Sequence, residues 1–471
     1  MRLPSLGRTR VVPLIIACAV FMENLDSTII ATALPQIARA MNEDPLHLSL
    51  AITAYLLSLA VFIPLSGWVA DRYGARRVFR AAILVFTLGS ALCGISQSMP
   101  QLVGARILQG IGGAMMVPVG RLVLLRAIPK SELIAAMTWL TVPALFGPIL
   151  GPPVGGLIVT YASWRWIFFI NLPIGLLGWW LVTRFIDDTR AEVRAPLDLG
   201  GWLIIGSGLV LLVSAFELLG KNLIANAVVW TMIGAGLGLI AIYVWRSRTH
   251  AMPIVDLNLL RITSFRISTT GGSLYRVATG AYTLLMPLML QLGFGYSAAA
   301  SGGITFASAA GAMLMKTTAP RIVKRFGFRS LLLANALLSA VFLFGCALFT
   351  AATPQLVMLS WLLAYGFFRS LQFTCINTLA YADMPQTRMS QATSFASTTQ
   401  QLSLSLGVGI GSQLLNTFRT LRDGGALEAR DFQTSLVVVA ALTAVSALLF
   451  RRLASDAGNS VSGHRGTEAR P

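Results

Sequence analysis

Residues Phe21–Pro35 read FMENLDSTIIATALP, which places two carboxylates, Glu23 and Asp26, inside the first long apolar run of the chain. A charge at bilayer depth costs roughly 2.5–3.5 kcal/mol on insertion scales, so such residues usually face a cavity or a partner. Their spacing of three puts both acids on one helix face. The composition says that bilayer depth is the right setting. Of 471 residues, 55% are hydrophobic and 11% are charged, where a soluble domain carries about 25% charged residues.

Working outward from that stretch, apolar runs of about 20 residues recur along almost the whole length. Fourteen spans are expected: Val11–Leu34, Leu48–Trp68, Val78–Ile95, Leu102–Leu125, Leu133–Thr160, Trp164–Ile186, Leu199–Leu218, Ala227–Trp245, Phe265–Leu290, Ala299–Thr318, Leu331–Ala351, Leu356–Leu379, Phe395–Phe418 and Phe432–Phe450. Met1–Phe21 resembles a signal peptide, but its run continues past both acids without a cleavage site, so it reads as a retained first span. With a cytoplasmic N-terminus, the inside segments hold 27 Lys and Arg and the outside loops 6. That bias sets the orientation and, with an even span count, puts both termini in the cytoplasm. The +18 net charge is spread over these loop ends and forms no stripe for nucleic acid.

The expected organisation is an all-α polytopic membrane protein: a cytoplasmic N-terminus over 1–10, a six-helix bundle over 11–186, and a linker with two additional helices over 187–250. A cytoplasmic connector and second six-helix bundle follow over 251–452, then a disordered tail over 453–471. Weak internal repetition supports two similar halves. Gly67–Phe79 after the second span is echoed by Pro320–Leu332 after the tenth, with Arg72-Tyr73-Gly74 matching Arg325-Phe326-Gly327. Lys324 stands where the first copy has Asp71, so a capping or latching role is not expected of the second copy.

Four motifs carry chemistry. The first is Leu25–Pro35. In the second, Gly67-Trp68-Val69-Ala70-Asp71-Arg72-Tyr73-Gly74-Ala75-Arg76-Arg77, Gly74 permits a tight turn, Asp71 suits free helix N–H groups, and the arginines suit carboxylates or anionic headgroups. The third, Arg106-Ile107-Leu108-Gln109-Gly110-Ile111-Gly112-Gly113, brings a guanidinium into an apolar span. The fourth places Gly147, Gly151 and Gly155 at i, i+4 and i+8 beside Pro148, Pro152 and Gly156, a stripe for close helix approach on a kinked helix. The aromatic stretch Trp164–Gly175 follows.

In this order the motifs resemble the major facilitator superfamily, and within it the fourteen-span drug:proton antiporters of the EmrB/QacA type, MdtD-like branch. The resemblance implies two six-helix bundles with two inserted helices, a latch role for the Gly67–Arg77 loop, an antiporter role for the Gly147–Gly156 helix, and proton coupling through Arg106. A moving Arg106 would change the affinity of Asp26 or Glu23 for a proton; a static buried ion pair is the alternative. Asp26 lies within the family signature and Glu23 outside it, and which of them carries the proton stays open.

Substrate-binding candidates are Glu23, Gln109, Arg276, Arg369 and Glu217, the last read either as a hydrated interfacial acid or as a coupling residue. Arg369–Gln372 echoes Arg106–Gln109 at a different depth and reads as coincidence.

The leading expectation is a proton-coupled multidrug efflux antiporter for amphipathic organic compounds in the bacterial inner membrane. It would act as a monomer without a cofactor, driven by the proton gradient. The runner-up exports a specific metabolite or organic anion on Arg106, Arg276 and Arg369. A membrane-embedded enzyme is remote: the three histidines, His47, His250 and His464, are scattered and no phosphate loop is present. The four cysteines, Cys18, Cys93, Cys346 and Cys375, lie within apolar segments and read as small buried hydrophobes.

Overall fold

The apolar runs become helices. The computed structural model describes residues 5–128, 133–187, 197–219, 221, 224–250, 252–385, 388–454 and 457, with the backbone alone described at 5–10, 125–126, 133–138, 141–145, 317, 319–320 and 390. Residues 1–4, most of the 187–198 connector with Arg190 and Arg194, Lys130, and nearly all of the 453–471 tail lie outside the described residues.

The first bundle is built from α1 (Ser5–Met41), α2 (Pro45–Phe62), the short α3 (Ser66–Tyr73), α4 (Ala75–Ile95), α5 (Met99–Ala127), α6 (Leu133–Tyr161), the single turn α7 (Trp166–Phe169) and α8 (Asn171–Phe185). Two further helices follow, α9 (Leu199–Leu218) and α10 (Asn226–Ser247). The rest is α11 (Thr263–Leu288), α12 (Ala298–Phe326), α13 (Phe328–Ala347), α14 (Gln355–Ala382), α15 (Met389–Arg422) and α16 (Ala429–Phe450). No strand occurs among the described residues.

Local chemistry sets several of the boundaries. Asp44 caps α2 by accepting from the Leu46 N–H at 2.8 Å, with Pro45 in the first turn where no N–H is needed. Asp198 caps α9 through the Gly201 N–H, and Ser297 caps α12 through the Ala300 N–H. Gly74, at φ +96°, makes the turn from α3 into α4, a conformation that side chains with a Cβ rarely adopt.

Among the described residues, eleven helices are long and apolar enough to cross a membrane. The expected spans at Leu133–Thr160, Phe265–Leu290 and Phe395–Phe418 are not among the eleven. The described part of α6 offers only the shorter run Phe146–Tyr161. The other two helices, α11 and α15, are rich in Ser and Thr and pack on each other, with α15 also against α2. A helix enclosed by protein satisfies its polar side chains there and need not be apolar all round.

The packing repeats between the halves. In the first, α1 packs on α6, α2 on α5 and α4 on α8; in the second, α11 packs on α15, α12 on α14 and α13 on α16. The seams between them also match, α2 on α15 and α6 on α12. The α9–α10 pair sits beside the α2–α15 seam, with α9 touching both helices.

Candidate functional site

Five elements of the first bundle converge on Asp26. Arg106 Nη1 of α5 donates to its Oδ2 at 2.5 Å; Gln109 Nε2 and Asn171 Nδ2 donate to its Oδ1 at 2.8 and 3.1 Å. Arg106 also donates from Nη1 to Gln109 Oε1 and from Nε to the Ala51 carbonyl, and its guanidinium lies over the Tyr55 ring, 4.1 Å from the centroid. Asn171, the first residue of α8, donates to Ser90 of α4 as well, and the Cys93 thiol donates weakly to Gln109. Asp26, Arg106, Gln109 and Asn171 are buried. The glycines of the same motif make this possible: a Cβ on Gly110 would meet the Tyr55 carbonyl at 2.8 Å, and one on Gly112 the Phe86 N–H nitrogen at 2.5 Å. The ion pair open to the sequence reading is thus formed, and Asn171, Tyr55 and Ser90 join it without having been singled out.

Glu23 is treated differently. It is 8% exposed, and its Oε2 is buried without a hydrogen-bond partner. The α6 stripe presses against this part of α1. A Cβ on Gly147 would meet Asn24 Cβ at 2.7 Å, one on Gly151 would meet Thr28 Oγ1 at 2.0 Å, and one on Gly155 would meet Ile29 Cγ1 at 2.5 Å. Gly156 and Pro152 face the other way, onto Ala298 and Gly302 of α12. The helix of Pro148 and Pro152 therefore touches the acid-bearing helix and the opposite half together.

In the Gly67–Arg77 loop, Gly67 and Asp71 lie within α3, and Gly74 caps α4 without a side-chain hydrogen bond. Arg76 donates to the Thr183 carbonyl of α8, whereas Arg72 and Arg77 are exposed.

The second half holds two arginines at depth. Arg276 of α11 is 3% exposed, donates from Nη2 to Asn377 Oδ1 at 2.7 Å and lies over Phe373, while its Nε is buried without a partner. Arg369 of α14 is half-buried over the rings of Tyr282 and Tyr365. Neither has a carboxylate within ion-pair distance among the described residues. Gln372 does not repeat the role of Gln109: it hydrogen-bonds Asn335 and the Leu332 carbonyl within its own half.

Glu217 is not a hydrated interfacial acid. It is buried and paired with Lys221 at 2.6 Å, accepts from Ser49 Oγ at 2.5 Å, and meets Thr53 at 3.4 Å. Ser49 in turn reaches Ser412 of α15 at 3.1 Å, and Lys221 donates to the Leu46 carbonyl. The spacing of four between Glu217 and Lys221 was the legible signal, obscured because Lys221 falls in a loop.

Further bonds join the halves near the ends assigned to the outside. Arg419 of α15 pairs with Asp44 at 2.5 Å, Gln291 donates to the Thr32 carbonyl, and the Ala299 N–H donates to Thr160. Burial pushes the Asp44 carboxyl up, but the Arg419 hydrogen bond, the Leu46 N–H and the Arg419 charge together hold it below the ordinary aspartate value.

The Major Facilitator Superfamily model matches residues 16–408 of the chain. A putative multidrug resistance protein MdtD of Salmonella typhimurium (strain LT2) is 37% identical over 458 residues, covering 94% of each chain. Its namesake in Klebsiella pneumoniae (strain 342) is 37% identical over 453 residues, again covering 94% of each. Of solved structures, a D-xylose-proton symporter superposes with a TM-score of 0.68 at 16% identity, covering 95% of this chain and 98% of that one. An auto-inhibited POT family peptide transporter gives 0.66 at 15% identity, covering 98% of both chains. At such identities the two structures speak to the fold alone.

Proposed function

The chain belongs to the major facilitator superfamily, and we propose that within it the protein is a proton-coupled efflux antiporter for amphipathic organic compounds. It is a multi-pass transporter of the bacterial inner membrane and not an enzyme. In this reading fourteen spans cross the membrane with both termini cytoplasmic. Bundles over 11–186 and 251–452 rock about a site between them, and the helices of 187–250 stand at their seam. The protein works as a monomer, without a cofactor, on the proton gradient.

The observation that carries the reading is Glu23. A buried carboxylate with an unpartnered oxygen accepts a proton without breaking a hydrogen bond, and the proton removes a charge that the bilayer interior penalises. A cationic group arriving beside Glu23 displaces that proton, which couples export to proton uptake. Asp26 serves instead to hold Arg106, since all its donors would have to rearrange for it to be protonated. The multidrug resistance naming of the relatives supports the efflux direction.

The test uses inverted membrane vesicles carrying the protein and an amphipathic cationic dye, the ethyl ester of rhodamine B. Dye addition is expected to drive proton release that Glu23→Gln abolishes. Release that continues unchanged in both Glu23→Gln and Asp26→Asn would sink the proposal.

A further inference from the structure

The α10 helix is the least buried of the eleven apolar helices, and Trp230, Leu237, Ile242 and Trp245 on it are exposed. A tryptophan near each end of an apolar, lipid-facing helix marks the two headgroup levels, because the ring is apolar in body and polar at one edge. Arg248 follows Trp245 by three residues, at the end assigned to the cytoplasm. At 1.5 Å per residue it stands about 4.5 Å further along the helix axis, which is headgroup depth.

A cavity of about 420 Å³ lies beside it. Val244 and Arg248 of α10 form one side, and Leu257, Asn258 and Arg261 of the 3₁₀ turn Leu257–Arg261 form the other. Both sides are held in place. The Tyr243 hydroxyl of α10 donates to the Val255 carbonyl at 2.9 Å and accepts from the Val255 N–H at 2.8 Å. Asp256 caps the turn through the Asn258 N–H at 2.9 Å and also accepts from the Asn258 side chain, so its Oδ1 is occupied within the turn. The neighbouring Arg246 is spent on Asp198 at 2.6 Å. Arg248 and Arg261 are exposed and make no ion pair among the described residues. Two guanidinium groups from separate elements therefore share one cavity with a side-chain amide and two apolar side chains.

We propose that this cavity binds the phosphate headgroup of an anionic phospholipid from the leaflet on the side assigned to the cytoplasm. Guanidinium groups hold phosphate oxygens through paired N–H donors, and basic pockets at this level of a membrane protein suit lipid headgroups. The setting favours a lipid over free phosphate. Val244 and Leu257 give the cavity an apolar wall for the glycerol end of the chains, and the exposed face of α10 continues that wall along the span. The turn packs on α11, and Leu259 within it belongs to an apolar cluster with Phe265 of α11 and Phe395 of α15. A bound headgroup thus bridges the inserted helix pair and the second bundle. The site shares no residue with the surroundings of Glu23 and Asp26, and it needs only the membrane placement and the basic-side orientation, not the antiport reading.

The test is native mass spectrometry of the full chain in dodecyl maltoside, titrated with phosphatidylglycerol or with phosphatidylcholine of the same acyl chains. The wild type is expected to bind the first phosphatidylglycerol at least tenfold more tightly. Arg248→Gln with Arg261→Gln should bring it down to the phosphatidylcholine level, each single variant should remove part of the preference, and lysine at both positions should retain part of it. Arg451→Gln with Arg452→Gln, which removes the same charge at the end of α16, should leave the preference intact. Inorganic phosphate at equal concentration should not displace the lipid. Equal binding of the two lipids by the wild type, a preference unchanged in either single glutamine variant, or an equal loss in the Arg451 and Arg452 variant would each overturn the proposal. Displacement by inorganic phosphate as effective as by phosphatidylglycerol would make this a soluble-anion site and overturn it too.

Discussion

Glu23 and Asp26 stand one turn apart on the same face of α1, and the protein surrounds them in opposite ways. Asp26 accepts from Arg106, Gln109 and Asn171, so both of its oxygens are engaged, and the helices α5 and α8 that supply those donors are tied to α1 through it. Glu23 is nearly as buried but has an oxygen that nothing meets. A fully bonded buried charge specifies how helices pack, whereas an under-bonded one is a place where a proton or ligand changes the energy. In the proposed reading, the two acids divide structure from coupling within four residues of sequence.

Removing Asp26 should have the largest effect. Asp26→Ala strands the Arg106 guanidinium in a dry setting, and breaking a buried pair this way costs about 3–5 kcal/mol. Thermal unfolding of the purified protein should show a large loss, and adding Arg106→Leu should recover much of it because the stranded charge goes too. If Asp26→Ala and Glu23→Ala lower the melting temperature equally, the contrast drawn here is wrong.

The Glu217–Lys221 pair falls between the two extremes. Lys221→Ala leaves Glu217 buried, but Ser49 remains a donor at 2.5 Å and Thr53 is nearby. A loss of about 2–3 kcal/mol is expected, as for a charged group that keeps part of its hydrogen bonding. Because Ser49 also touches Ser412 of the opposite half, cross-linking between cysteines placed in α2 and α15 should weaken in the same variant. Unaltered cross-linking would confine the pair to anchoring α9.

Glu23→Gln sharpens the contrast from the other side. It should leave stability within about 0.5 kcal/mol, the range of substitutions that break no bonded feature. Coupling should nevertheless disappear. A variant that unfolds early would make Glu23 a second structural acid.

How much of this was legible in the sequence depends on what each residue meets. The helical membrane fold followed from apolar runs and from basic residues at their ends. Among the described residues, α11 and α15 are not apolar enough to cross a membrane unaided, although apolar runs of the right length were read there; only packing shows that protein covers their Ser and Thr groups. Asp26 and Arg106 could be matched as opposite charges in neighbouring spans. Asn171 could not, because an Asn at the edge of an aromatic stretch carries no record of the acid it reaches 145 positions away. The glycine stripe of α6 was readable as a smooth face, but its contact with the turn of Asn24 and Thr28 required the fold.

Among the paired acids, the smallest effect belongs to Asp44, which lies outside the spans and is bonded like Asp26 but only partly buried. Its pair with Arg419 joins the halves, and with side chains about a quarter exposed it is worth at most about 1 kcal/mol. Its carboxyl is held below the ordinary aspartate value, so its contribution is complete above the unfolded value, about 3.9, and is lost as pH falls through the lower folded one. Wild type should thus melt slightly above Asp44→Asn at pH 7, and the gap should close only as the pH drops below about 4. A gap that persists at pH 2, where the carboxyl is protonated, would mean that the charge pair is not its source, since asparagine caps a helix about as well as aspartate does.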